Sequence, residues 1–278
     1  MLRNSLKSVI VLSLLTGFVY GDNNVTKEDI VTKAVPSSWW KKSSYEYDNS
    51  EILMHFEGTL SYTQNSGNED NEDTMIMLKA KIRKGHYGVS FDYNKKYKDH
   101  IVYDDKNDEN PTQILTDDYS SVTRIGYDIT KNFYAVAGYE NSRNTSFEIY
   151  NQTTQYVGGG FRLHYNRHRL NIMGALGTED ISFGTYPQLP SGKTDGLYYN
   201  VYYNFEMLPY ADLTLNYSYF SADMETRDTS KFMAKVSIPV FENVSIVIGY
   251  IDEYMEAQDT VDRYTHDETV FTAIKFQF

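Results

Sequence analysis

Basic side chains recur at every second position in one short stretch of the chain, at Lys79, Lys81 and Arg83. Alternate side chains of an extended strand point to the same face, so this spacing would place three positive charges in one row. Such a row can attract an anion or pair with carboxylates on a neighbouring strand. The stretch therefore predicts a positively charged face of a strand, whose role depends on whether that face points to water, to lipid or into an interior.

Period-two alternation assigns further charged residues to the same wet face. The candidate residues of this charged lining are Glu57, Lys79, Lys81, Arg83, Arg124, Arg162, Lys235 and Lys275. Carboxylates such as Asp92, Asp128 and Glu140 also fall on this face, so the two signs roughly balance. Two interpretations remain open: a salt-bridge network that fills an interior, or a charged wall around a narrow aqueous path.

The histidines show no catalytic arrangement in the sequence. Alternation puts His55, His86 and His164 on the wet face. The other three fall in predicted loops or turns: His100, His168 and His266. A nucleophile system directed at lipid would need a histidine on the opposite, apolar face. The sequence therefore predicts no enzymatic activity and no cofactor.

Two short motifs resemble ligand sites but lack a required part. Gly158-Gly159-Gly160 could be taken for a phosphate-binding loop, yet no helical pattern follows it, so relief of crowding within a strand is the better interpretation. Residues 104–108 resemble a calcium loop but lack the glycine and the closing glutamate of such a site. The sequence predicts no metal site.

The element that carries these residues is a strand with one apolar and one wet face. In the first run, Met54 and Phe56 alternate with His55 and Glu57, and the same period recurs along the chain. Twelve such runs occur, near 50–63, 74–83, 86–95, 118–129, 132–141, 154–165, 169–180, 196–207, 211–221, 229–239, 243–253 and 267–278. This even number predicts an all-β fold, a transmembrane antiparallel up-and-down β-barrel of twelve strands.

Short connections between the runs alternate with longer ones. The long connections are 96–117, 142–153, 181–195 and 254–266. Short turns at one end and long loops at the other, with both chain ends on the short-turn side, are typical of bacterial barrels. Residues 96–117 are the only candidate for a loop that folds into the interior.

The first residues have the composition of a secretory signal. Arg3 and Lys7 precede an apolar stretch that is too short to span a bilayer, and we expect cleavage after Gly21. The signal would occupy residues 1–21, and the aperiodic residues 22–48 are interpreted as a periplasmic N-terminal arm. Residues 49–278 would then form the barrel.

Composition and the last strand favour a membrane barrel over a soluble one. The chain has 278 residues, a net charge of −12 and no cysteine, and this negative balance argues against a nucleic-acid partner. A soluble β-sandwich or lipocalin-like barrel also alternates, but it puts the apolar face inward. Phe276 and Phe278 end the last run and resemble the C-terminal signal that barrel-assembly machinery recognises in the outer membrane.

Several short motifs are spread over nearly all of residues 50–278. They are Gly58 to Thr63 followed by Ser66-Gly67-Asn68, Tyr134 to Tyr139, Tyr156 to Phe161, Leu170 to Gly177, and the end at Phe278. With these motifs the chain resembles the YdiY-like family of salt-induced outer-membrane proteins. That family usually has a threonine after the Gly-Asn pair, where this chain has Glu69. The resemblance implies an outer-membrane barrel and brings no established activity.

Two functions remain open from the sequence. One is a narrow passive channel for small polar or ionic solutes, and the other is a non-transporting envelope protein with a structural or stress role. Acidic residues in predicted loops, such as Glu69, Asp104 and Asp252, favour bridging through divalent ions to lipopolysaccharide. The expected partners are therefore outer-membrane lipid and lipopolysaccharide, and we expect a monomer.

Overall fold

The chain folds into a closed antiparallel barrel. The computed structural model describes residues 44–46, 51–65, 69–102, 112–145, 149–183, 192–208, 211–222, 227–257 and 263–278. Each of twelve strands pairs with its neighbours in sequence, and the first pairs with the last. The predicted fold class is confirmed. The predicted signal peptide, most of the predicted arm and Gly67-Asn68 lie outside the described residues.

The strands are longer than the sequence runs that predicted them. They are β1 (Leu53–Asn65), β2 (Glu69–Lys84), β3 (Tyr87–Val102), β4 (Thr112–Asp128), β5 (Phe133–Asn144), β6 (Ile149–Tyr165), β7 (His168–Phe183), β8 (Gly192–Leu208), β9 (Ala211–Ala222), β10 (Arg227–Phe241), β11 (Val244–Ala257) and β12 (Arg263–Gln277). A short 3-10 helix, Ser44–Glu46, precedes β1.

Closure of the barrel depends on the contact between β1 and β12. Leu60 lies opposite Ile274 in this antiparallel pair. Beyond β12, the Phe278 amide donates to the Phe56 carbonyl and the Phe56 amide donates to the Phe278 carbonyl, each at 2.9 Å. The C-terminal residue thus extends the pairing of β1 with β12 towards the turn end of this seam.

We call the end of the barrel where β1 begins and β12 ends the turn end, and the opposite end the loop end. At the turn end, Gly85 and Asn166 adopt positive φ angles of 57° and 52° in two-residue turns. Glycine and asparagine tolerate this conformation, which suits tight hairpins between twisted strands. The predicted short turns therefore lie together at one end.

At the loop end, the predicted bounds of the long connections are wrong, because the strands extend into them. β3 continues to Val102 and β4 begins at Thr112, so strands take up most of 96–117. Residues 103–111, which remain between these strands, lie outside the described residues. In the same way, strands extend into the other three predicted connections, 142–153, 181–195 and 254–266.

The cause of this error is that polar residues occupy both faces of the strands near the loop end. Tyr97, Lys98 and Asp99 follow one another in β3, and such a sequence shows no period of two. Backbone pairing nevertheless continues there, since Asp99 lies opposite Glu72 and Leu115. A strand in a closed barrel is maintained by its two neighbours even where its side chains no longer mark it.

Several residues assigned to loops consequently lie in strands. Glu69 is in β2 and Asp252 is in β11, whereas Asp104 lies outside the described residues. The three histidines that were placed in loops or turns also lie in strands: His100 in β3, His168 in β7 and His266 in β12.

The outward face of the barrel is apolar and exposed. Leu78, Val157 and Val270 expose 48%, 64% and 77% of their surface, whereas inward-facing His55 and Lys275 are buried. Aromatic rings gather towards the turn end, where Tyr87 lies 4.9 Å from Tyr127 between ring centroids. An apolar exterior, aromatic rings near its margin and a polar interior are the features of a barrel that spans a membrane. No helix in the described segments is long and apolar enough to cross a bilayer.

Candidate functional site in the barrel interior

The inward side chains of β1 to β4 form what we call the charged wall. The register places Glu57, Lys79 and Asp92 side by side on β1, β2 and β3. Lys79 Nζ lies 3.3 Å from Asp92 Oδ1, and Arg124 Nη1 of β4 lies 3.5 Å from Asp92 Oδ2. Charges therefore alternate in sign across four neighbouring strands, which lowers their mutual repulsion in an enclosed space.

Glu140 of β5 joins the charged wall to two tyrosines, one of β6 and one of β8. Arg124 Nη2 donates to Glu140 Oε1 at 3.0 Å. The hydroxyls of Tyr156 and Tyr198 donate to the same oxygen, at 3.1 Å and 3.0 Å, and Arg124 Nε donates to the Tyr156 hydroxyl at 2.7 Å. One carboxylate oxygen thus accepts from a guanidinium and two phenols, which fixes all four side chains.

Three further lysines predicted for the lining also face the interior. Lys81 lies opposite His55, and Lys275 lies opposite Thr59, so both adjoin the inward row of β1. Lys235 enters from β10, where it lies opposite Thr214. Glu57 interacts electrostatically with both Lys235 and Lys275. The structure therefore brings lysines of three strands towards one carboxylate.

The other two predicted lining residues lie nearer the turn end. Arg162 Nη1 donates to Asp128 Oδ1 at 2.7 Å, and its guanidinium lies 4.3 Å from the centroid of the Tyr134 ring. Arg83 also interacts electrostatically with Asp128. Thus all eight predicted lining residues face the interior, but they occupy two levels rather than one row.

Buried aromatic and apolar side chains on the inward face of β5 to β9 form what we call the aromatic wall. Its buried members are Tyr134, Val136, Tyr156, Met173, Ala175, Tyr198, Phe220 and Ala222. The rings of Tyr156 and Tyr198 stack with their centroids 4.4 Å apart and an angle of 5° between planes. These side chains are buried, whereas Lys79, Asp92 and Arg124 of the charged wall are partly exposed.

Glycines make room for the aromatic wall. A Cβ on Gly138 would lie 2.2 Å from Cζ of Tyr156, and one on Gly160 would lie 2.2 Å from Cζ of Tyr134. A Cβ on Gly158 would lie 2.2 Å from the Gly174 carbonyl oxygen. The structure thus supports the interpretation of Gly158-Gly159-Gly160 as relief of crowding.

Apolar side chains meet across the interior at the loop end. Ile149 of β6, Ile181 and Phe183 of β7, and Met255 of β11 form one buried cluster, which we call the loop-end cluster. β7 and β11 are separated by three strands, so this contact crosses the barrel rather than following its wall. The cluster narrows the interior, and an apolar constriction disfavours the passage of ions.

The segment before β1 binds at the turn end. The Ser44 amide donates to Asp128 Oδ2 at 2.8 Å, and its hydroxyl lies 2.9 Å from His86 Nδ1. The Tyr45 ring stacks on His86 with centroids 4.4 Å apart. Ser44 is therefore held against the inward-facing Asp128, within the part of the predicted arm that the structure describes.

The Ser44–His86 contact is a structural hydrogen bond rather than a nucleophile–base pair. Ser44 is only 2% exposed, and Asp128 accepts from the Ser44 amide instead of orienting the imidazole. A hydrolytic site needs an accessible hydroxyl and a carboxylate on the second imidazole nitrogen. This arrangement provides neither.

Two histidines face outward, contrary to the prediction from sequence. His168 Nδ1 lies 2.7 Å from the Tyr203 hydroxyl, and His266 Nε2 lies 2.8 Å from Asp252 Oδ1. The prediction failed because the short turn at 166–168 and the long connection at 254–266 are both shorter than predicted, so His168 begins β7 and His266 lies within β12. In the described part of the chain, neither imidazole is hydrogen-bonded to a serine or threonine hydroxyl.

Outside the charged wall, the described residues form a further cavity. Among the described residues, no group of three His, Cys, Asp or Glu side chains could hold a metal ion. A cavity of 1090 Å³ adjoins β5 to β9 and is bordered by outward-facing residues such as Tyr139, Val157 and Leu176. It contains none of the charged-wall residues.

The fold and the two faces define this protein as a membrane-spanning β-barrel. No known family matches the chain, and no curated protein matches it, so the resemblance to the YdiY-like family stays a prediction.

Comparison with solved structures finds other barrels. The NanC porin has a TM-score of 0.46 and 8% identity, with 81% of this chain and 99% of that chain covered. The translocator domain of the autotransporter NalP from Neisseria meningitidis has a TM-score of 0.42 and 10% identity, with 84% and 90% covered. An anion-selective porin from Comamonas acidovorans has a TM-score of 0.39 and 6% identity, with 82% and 100% covered. At such values the similarity supports no statement about function.

Proposed function

We propose that the protein is a bacterial outer-membrane barrel that provides a narrow passive route for small polar or ionic solutes. The observation that carries this proposal is the partial exposure of the central charged wall. The side chains of Lys79, Asp92 and Arg124 are 30%, 31% and 27% exposed although they face the interior of a closed barrel. Water therefore reaches charges at the level where a solute would pass.

The outer membrane is the proposed location because that membrane accommodates barrels of this kind. The apolar exterior supports contact with lipid, and the exposed Phe278 at the end of the last strand supports recognition by barrel-assembly machinery. Lipopolysaccharide as a partner, a monomeric state and the absence of enzymatic activity belong to the same proposal.

A second candidate function is a non-transporting structural or stress-related envelope protein. The loop-end cluster favours it, since Ile181 and Met255 are 1% and 4% exposed where the interior would have to open. The channel function requires the side chains of the loop-end cluster to move apart, whereas the structural role does not. They make opposite predictions for ionic current.

Single-channel recording in planar bilayers tests the first candidate. We expect the refolded full chain to give small current steps that increase with KCl concentration. Met255→Ser should enlarge these steps, because a polar side chain lowers the barrier at the apolar constriction. Met233→Ser, which alters a partly buried residue outside the loop-end cluster, is the matched control. Absence of current from folded wild-type protein and from folded Met255→Ser would contradict the channel and favour the structural role.

A further inference from the structure

The seam between β1 and β12 is paired over only part of its length. Towards the loop end, its register stops at Leu60 and Ile274. β1 nevertheless continues along β2 to Asn65, and β12 continues along β11 to Arg263. Among the described residues, this part of β12 thus pairs with a strand on one side only. We call the stretch beyond Leu60 and Ile274 the loop-end seam.

Side chains connect β12 with β1 and β3 at the loop-end seam. The Ser61 hydroxyl of β1 donates to the Thr272 carbonyl of β12 at 2.6 Å. Lys96 Nζ of β3 donates to Asp267 Oδ2 at 2.8 Å and to Thr269 Oγ1 at 2.5 Å. Hydrogen bonds of side chains therefore hold β12 where its strand pairing with β1 has stopped.

Lys96, Lys98 and Asp267 form an ion cluster inside the barrel, which we call the seam bridge. Lys98 Nζ lies 3.5 Å from Asp267 Oδ1, so one carboxylate contacts two lysines. β1 and β2 separate β3 from β12 in the sheet, and both lysines therefore reach past two strands. The three side chains are 13%, 16% and 14% exposed, so water and salt screen their attraction only weakly.

The outer side of the loop-end seam adjoins the apolar exterior. Val270 of β12 is 77% exposed on that side. A backbone amide or carbonyl that faces hydrocarbon without a partner is costly, and membrane barrels avoid this cost by pairing neighbouring strands completely. The loop-end seam lacks complete pairing, so it is a weak part of the wall. Its closure depends on the side chains that bridge it.

We propose that the loop-end seam opens sideways to the membrane and admits amphipathic molecules, and that the seam bridge holds it closed. A molecule with a polar group and an apolar chain fits such an opening, because charged side chains lie on its inner side and lipid adjoins its outer side. This lateral route goes beyond the proposed axial channel, since it requires no current through the loop-end cluster.

Spin-label distances test the opening. The chain has no cysteine, so labels attach only to introduced pairs. Thr74→Cys and Thr272→Cys place labels on β2 and β12, on either side of β1. In lipid vesicles this pair should show a second, longer distance, which Asp267→Asn should populate further because it removes the negative charge of the seam bridge. Val157→Cys and Leu197→Cys, on either side of the well-paired β7, are the control and should give one distance.

Cysteine labelling tests access from the lipid. Ala273→Cys introduces a thiol at a buried, inward position of β12 beside the loop-end seam. A long-chain N-alkylmaleimide that dissolves in the bilayer should modify it faster than a charged, water-soluble maleimide. Ala175→Cys, at a similarly buried alanine of β7, is the matched control and should resist both reagents. Asp267→Asn should accelerate the alkylmaleimide reaction about tenfold, because it weakens a hydrogen bond between charged groups.

A second ion pair separates position from charge. Glu253→Gln removes an inward carboxylate that pairs with Lys231 between β10 and β11, two strands that pair along their whole length. It should change neither the distances nor the labelling rates. Lys96→Gln replaces Asp267→Asn in both tests if Asp267→Asn does not fold. Unchanged distances and rates in the folded variant would overturn the seam bridge as the contact that closes the seam.

Two further outcomes decide whether the route is lateral. A single distance between the Thr74 and Thr272 labels in wild type and in the folded seam-bridge variant would overturn the opening. Equal modification of Ala273→Cys by both maleimides would show access along the barrel axis and overturn the lateral route. Preferential modification by the alkylmaleimide in a barrel that carries no ionic current would contradict the axial channel and leave the lateral opening standing.

Discussion

The charged wall and the aromatic wall line the same interior but are stabilised by different contacts. Along β1 to β4, long side chains of opposite sign alternate between strands and retain contact with water. Along β5 to β9, buried rings lie over glycines, and Tyr156 stacks on Tyr198. Close packing tolerates little change in volume, whereas a hydrated charged surface tolerates changes in shape but depends on the balance of charge.

This difference assigns separate roles to the two walls. The aromatic wall is closely packed and stiffens the barrel, because its rings lie against glycines of adjacent strands. The charged wall leaves the space in which ions can be held. A twelve-stranded barrel lies between small barrels, whose interiors side chains fill, and large barrels, which conduct freely. In this barrel, one part of the interior is closely packed and another part is lined by partly exposed charged side chains.

The largest expected loss in the free energy of unfolding comes from charged substitutions on the lipid-facing side of the strands. This loss should be the same for strands of the charged wall and strands of the aromatic wall. Leu78→Arg behind the charged wall and Leu215→Arg behind the aromatic wall should each lower the free energy of unfolding by about 2–4 kcal/mol, because both place a charge against lipid. Asn216→Arg, on the inward face, should cost much less. Urea unfolding of the barrel refolded into lipid vesicles measures all three. Equal cost for Leu215→Arg and Asn216→Arg would contradict the assignment of the faces.

The second largest effect is the loss of stability on replacing a glycine with alanine, which should differ between the two walls. Gly158→Ala places a methyl group against the backbone of β7, where Gly174 cannot move without breaking strand pairing, so we expect a loss of about 3 kcal/mol. Gly88→Ala in β3 meets only ordinary contacts, the nearest at 3.6 Å from Arg83 Nε, and should be nearly neutral. Urea unfolding in vesicles again provides the measurement. Similar losses for both variants would remove the distinction in packing between the walls.

The charged wall could be predicted from sequence, whereas the aromatic wall could not. Lys79 and Lys81 alternate with apolar neighbours within one strand, so the local pattern alone fixes their face. The contact of Tyr156 with Gly138 joins two strands, and it requires a register that neither strand's sequence contains. Crowding at Gly158 could be anticipated, but not the ring or backbone responsible for it.

The loop-end cluster was also beyond sequence reasoning. Met255 lies in a stretch where acidic residues flank it, and Ile181 lies in a predicted loop. Their contact depends on the diameter and tilt of the closed barrel, which bring β7 and β11 together across the interior. Strand number could be read from the sequence, but the path of side chains across the barrel could not.

The smallest effect concerns Glu140, where the two walls meet. Glu140→Gln preserves the shape of the side chain but removes the charge that accepts from Arg124, Tyr156 and Tyr198, so the free energy of unfolding should fall by about 2 kcal/mol. Tyr198→Phe removes one hydroxyl from the same oxygen. Because the residues share an acceptor, the double variant should lose less than the sum of the single losses, by about 0.5 kcal/mol or more. Urea unfolding of the four proteins in vesicles completes the cycle, and strict additivity would show that charged and aromatic walls are energetically independent at this carboxylate.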